Sequence, residues 1–111
     1  MDKFGLPAGV LNLIKRKLTE FNQIEAAKIY GSRAMGNYWR GSDIDIVLFG
    51  NCEKSLGQII TEMDELPLPY KFDIALYSQL TNQELKEHID RVGINIYQQS
   101  DEHPTCYAKK L

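Results

Sequence analysis

The chain has 111 residues, 43% hydrophobic and 25% charged, with a formal net charge of −2. That length supports one domain with one modest core, and the balance is that of a globular protein rather than a disordered one. The charge offers no overall attraction for nucleic acid, no apolar run approaches membrane-spanning length, and two cysteines are too few for a disulfide framework. No direct nucleic-acid or membrane partner is therefore expected. Without a secretory layout at the N-terminus, a cytoplasmic location with reduced thiols is the expectation.

In chain order, Pro7 to Phe21 predicts a helix, with Val10, Leu11, Ile14, Leu18 and Phe21 at helical spacing and Lys15 to Lys17 on its wet side. Ile24 to Tyr30 reads as a buried strand that stops at Gly31. A short helix over 33–38 and a turn over 40–42 lead into a second strand, Asp43 to Phe49. A helix over 54–66 follows, with Leu56, Ile59, Ile60, Met63 and Leu66 on one face, and Pro67 and Pro69 end it. Residues 71–76 form a third strand. The last helix is capped by Ser78 or Thr81 and carries Leu85, Ile89, Val92 and Ile96 as its core stripe. One domain over 1–100 and a loose polar tail over 101–111 are expected. The alternation αβαβαβα predicts a small α/β (α+β) sandwich whose helices cover one face of a short sheet and leave the other partly open.

Three carboxylates sit inside the apolar strands. Asp43 and Asp45 are spaced by one residue, so both project from the face opposite Ile44, Ile46 and Leu48. Asp73 alternates with Phe72 and Ile74 in the same way. If the two strands are neighbours, the three converge on the open face. Such oxygen donors suit Mg²⁺, which takes one or two carboxylates and completes its shell with water and phosphate. Two ions sharing the middle carboxylate would clamp an in-line displacement. The Gly31-Ser32 turn opens into a helix, whose first N–H groups accept an anion, and Ser32 and Arg33 add a hydroxyl and a charge. There is no Gly-x4-Gly-Lys-Ser/Thr, so this is not a P-loop.

Gly31-Ser32, ten residues, Asp43-x-Asp45 and a later lone Asp73 closely resemble the signature of the DNA polymerase beta nucleotidyltransferase superfamily. The wording Tyr30-Gly31-Ser32-Arg33-Ala34 with Ser42-Asp43-Ile44-Asp45 resembles its minimal nucleotidyltransferase (MNT) branch, over about residues 8–97. The resemblance implies a polymerase-beta-like fold with a mixed sheet. It also implies transfer of a nucleoside monophosphate from a triphosphate such as ATP, with Gly31, Ser32, Arg33 and Ser42 on the nucleotide. Asp43 and Asp45 would bind two Mg²⁺ ions, and Asp73 the catalytic one. Many members of the branch are antitoxins that adenylylate a tyrosine of a helical HEPN ribonuclease. Met35 stands where many relatives carry a second arginine.

The chain lacks the Arg-and-His pattern of HEPN ribonucleases, so it resembles the antitoxin half of such a pair. Its shortness leaves the acceptor surface to another chain, a partner or a second copy. Two other functions fit the same residues: a non-catalytic module that neutralises its partner by docking, and a small-molecule nucleotidyltransferase that builds its acceptor pocket as a homodimer. His88, His103 and Cys106 read as ordinary surface or tail residues. Trp39 and Tyr38 read as braces of the loop before the aspartates, with stacking on a nucleobase as the alternative.

Overall fold

A computed structural model describes residues 4–39 and 41–99. Its elements are α1 (Ala8–Leu18), β1 (Ile24–Tyr30), α2 (Ser32–Met35), β2 (Ile44–Gly50), α3 (Leu56–Asp64), β3 (Phe72–Leu76), α4 (Gln83–Val92) and β4 (Ile94–Gln98). The four strands make one mixed sheet in the order β3-β2-β1-β4. β1 runs antiparallel to both β2 and β4, while β2 and β3 are parallel. A parallel pair cannot be joined by a tight hairpin, and here the return is made through α3.

The apolar alternation of β2 carries through as predicted. Ile44, Ile46 and Leu48 are buried with Ala27 and Ile29 of β1, beneath Leu11, Ile14 and Leu18 of α1 and Ile59 and Met63 of α3. Phe21 joins this core from beyond the end of α1, which stops at Leu18 with Thr19 as its cap.

The end of the chain departs from the sequence reading in two ways. Ile96 belongs to β4, paired with β1, and not to a continuing last helix. The order is thus αβαβαβαβ, because Gly93 leaves the helix with an extended backbone (φ −63°, ψ 139°) and its successors find an unpaired strand edge. The cap of α4 is Asn82, whose side-chain oxygen accepts from the Leu85 N–H at 3.1 Å, rather than Ser78 or Thr81. Those two lie in or beyond a short 3-10 turn over Tyr77–Gln79.

α1 and α3 cover one face of the sheet, and α4 packs on the other. Ile89 of α4 is buried with Tyr30 and Val47, flanked by Phe49, Tyr77, Leu80 and Leu85. The open part of that face is therefore confined to the end where β2 and β3 begin. The expected tail over 101–111, with His103 and Cys106, lies outside the described residues. Among the described residues no helix is long and apolar enough to cross a membrane.

Candidate active site

Strand direction brings the two halves of the motif together. β1 is antiparallel to β2, so its C-terminal residue, Tyr30, pairs with Asp45, the second residue of β2. Gly31 and Ser32 follow at once and arrive beside the aspartates. On the other side of β2, the parallel register pairs Asp45 with Asp73. Tyr30, Asp45 and Asp73 thus form one row across three strands. Asp43 precedes the row in the turn and lines a polar cleft with Ser32, Trp39, Gly41, Ser42 and Asp45, about 340 Å³ in volume.

Gly31 is required where it stands. Its φ is 76°, in the left-handed region that side chains avoid, and a Cβ there would fall on Asp45 Oδ2. The turn therefore approaches the carboxylate as closely as a backbone can. Met35 N–H donates to the Gly31 carbonyl at 3.1 Å and starts the single turn of α2.

The family model described as "Polymerase beta, Nucleotidyltransferase" matches residues 12–102. The chain belongs to that family. Its fold is also that of two solved toxin-antitoxin structures. One, described as a toxin-antitoxin with AMP-PNP, superposes with a TM-score of 0.66 at 17% identity, over 83% of this chain and 76% of that one. The second, a toxin-antitoxin MntA-HpeT mutant, gives 0.63 at 12% identity, over 83% and 75%. At such identities the likeness is one of fold. No curated protein sequence matches the chain significantly.

In this nucleotidyltransferase the like charges on the open face leave a clear electrostatic mark. The Asp45 carboxyl is pushed up to about 6, first by burial, then by Asp73 and Asp43, with Arg33 opposing. Tyr30 is pushed up to about 12 by burial, Asp73 and Asp45, so its phenol stays protonated and forms a neutral wall of the site. Its ring meets His88 edge-on, 6.3 Å between centroids.

Among the described residues no group of three His, Cys, Asp or Glu is placed to hold a metal ion. The register sets Asp73 directly beside Asp45, while Asp43 stands ahead of the strand in the cleft. The donor set is nevertheless of the right kind. It is all oxygen, it is crowded with like charge, and a hard cation needs only one or two of its members.

Arg33 is found elsewhere than its neighbours in the motif suggest. It is 2% exposed and is not part of the cleft lining. Its Nε and Nη2 donate to the Ser42 carbonyl at 3.2 and 2.8 Å, and Nη1 donates to the Phe4 carbonyl at 2.8 Å. Ser42 is itself buried; its Oγ accepts from the Trp39 N–H at 2.9 Å. Sequence reasoning missed the role of Tyr30, although its place directly before Gly31 was the available signal. Trp39 lies across Gly41, where a Cβ would meet the indole, within the loop it is expected to brace.

Proposed function

We propose that this nucleotidyltransferase is an Mg²⁺-dependent protein adenylyltransferase of the MNT branch. It transfers AMP from ATP to a tyrosine hydroxyl of a helical HEPN toxin and so acts as its antitoxin. The observation that carries the reading is the row formed by Asp45 and Asp73 beside the Gly31-Ser32 turn, with Asp43 in the adjoining cleft. A similarly folded toxin-antitoxin has been solved with AMP-PNP, which supports a nucleotide in this cleft and a toxin as partner.

In the reaction the acceptor oxygen attacks the α-phosphorus of ATP, a new P–O bond forms, and the bond to the bridging oxygen breaks with loss of pyrophosphate. Asp43 and Asp45 would hold two Mg²⁺ ions, and Asp73 would help to hold the catalytic one. Such ions would supply a lowered pKa for the attacking hydroxyl and neutralisation of charge on the phosphates. Gly31 and Ser32 offer backbone N–H groups and a hydroxyl to the triphosphate, and Ser42 shapes the cleft wall from its turn. Asp73, exposed beside Asp45, would accept the proton of the acceptor or help to lower its pKa. Tyr30 suits that task less, because burial raises its pKa.

The test is direct. Incubation with the cognate toxin, ATP and Mg²⁺ should raise the toxin's mass by one AMP and abolish its ribonuclease activity. No adduct, under conditions where ATP binds, would sink the proposal.

A further inference from the structure

We propose that Arg33 is a positioning residue which ties the Gly31-Ser32 turn, the Asp43 turn and the N-terminal segment together from inside, and does not bind the nucleotide's phosphates. An arginine directly after a Gly-Ser turn invites a phosphate role, and four observations point the other way. The guanidinium is buried to 2% exposure and does not line the cleft. Two of its nitrogens converge on the carbonyl of Ser42, the residue that immediately precedes Asp43. A third donates to Phe4, a non-glycine residue held at φ 60°, a backbone cost that persists only where surrounding contacts enforce it. Finally, the guanidinium lies 5.3 Å from the ring centroids of both Tyr38 and Tyr70, one from each of the loops that enter β2 and β3.

Arg33 therefore joins segments that are far apart in sequence. Ser32 and Asp43 both line the cleft, with ten residues of chain between them. A flexible connection of that length would let the two ends drift; the fork on the Ser42 carbonyl fixes one against the other. Burying a guanidinium is expensive unless its N–H groups are bonded and aromatic faces flank it, and both conditions hold here. Lysine cannot replace it, since a single ammonium on a flexible stem does not reproduce the planar fork. The consequence for catalysis rests on the function proposed above, whereas the position of the side chain does not.

The experiment is NMR on the full chain labelled with ¹⁵N. In the nucleotide-free protein, the Arg33 Nε–H should exchange with water roughly ten-fold or more slowly than that of exposed Arg16. Titration with ATP and Mg²⁺ should move the Ser32 and Asp43 amides and leave the Arg33 Nε–H where it was. In Arg33→Lys, the Ser42 amide, which donates to the Trp39 carbonyl at 2.9 Å, should exchange faster, and kcat should fall more than KM for ATP rises. An Arg33 Nε–H that exchanges like Arg16, or that shifts with ATP as strongly as the Ser32 amide, overturns the proposal. So does an Arg33→Lys protein with unchanged Ser42 exchange and a raised KM alone. If Arg33→Lys fails to fold, the wild-type exchange and titration still decide. If ATP moves no amide at all, the nucleotide reading fails, and the Nε–H exchange rate alone judges Arg33.

Discussion

At the scale of single residues, Asp45 sets function against stability. Its folded pKa is raised from 3.8 to about 6, so between those values the folded state holds a proton that the unfolded state has lost. Stability therefore falls as pH rises from about 4 to about 6, and the whole penalty is present at neutral pH. A shift of two units would be about 3 kcal/mol, but solvent reaches the group, and on the order of 1 kcal/mol is the expectation after screening. Asp45→Asn should flatten that slope and raise the melting temperature at pH 7.5 by about 4 °C, measured by thermal denaturation across pH. Mg²⁺ should stabilise the wild type at the same pH and leave Asp45→Asn almost unmoved. Gly31→Ala tests the close approach from the other side. It forces a side chain into the left-handed region and onto the Asp45 carboxylate, so a loss of about 1–3 kcal/mol in urea unfolding is expected, with nucleotide transfer abolished.

Much of the site was legible at this scale because a carboxylate inside an apolar strand is costly to bury and so points to an open, polar face. The side on which Asp43, Asp45 and Asp73 lie follows from alternation alone. Arg33 was not legible, since a charged side chain in a motif carries no mark of its burial. Only the positions of Phe4 and Tyr70, distant in sequence, show that it turns inward.

At the scale of elements, the missing strand has a specific cause. Leu85, Ile89, Val92 and Ile96 continue a helical stripe without a break, and Gly93 was the one sign that the helix stops. Tertiary pairing then decides: the free edge of β1 gives the backbone of Ile94–Gln98 a ladder partner, and Ile96 stays in the main core by another route. The same helix end turns α4 toward the second face, where Ile89 backs Tyr30 and Val47. Ile89→Ala should cost about 2–4 kcal/mol and loosen the wall behind the site. Urea unfolding would measure the first effect. Faster amide exchange at Tyr30 would report the second, and an unchanged rate would mean that α4 lends the site no support.

At the scale of the molecule, one end of one face of the sheet is kept polar while helices pack on both faces. α1 and α3 seal the first face, and α4 seals most of the second. What remains open is the beginning of β2 with the Gly31-Ser32 turn, where the cleft of about 340 Å³ lies. Under the proposed function the acceptor belongs to another protein, which makes docking and transfer separable. Asp43→Asn combined with Asp45→Asn removes negative charge at two positions in the cleft and leaves both sealed faces untouched. Co-purification with the toxin should be unaffected, while transfer of AMP and protection of cells against the toxin should both be lost. Protection retained by this variant would show that docking alone neutralises the partner, and would reduce the carboxylate row to an inheritance of the fold. Transfer to a small molecule with no toxin present would point to a shared pocket between two copies instead.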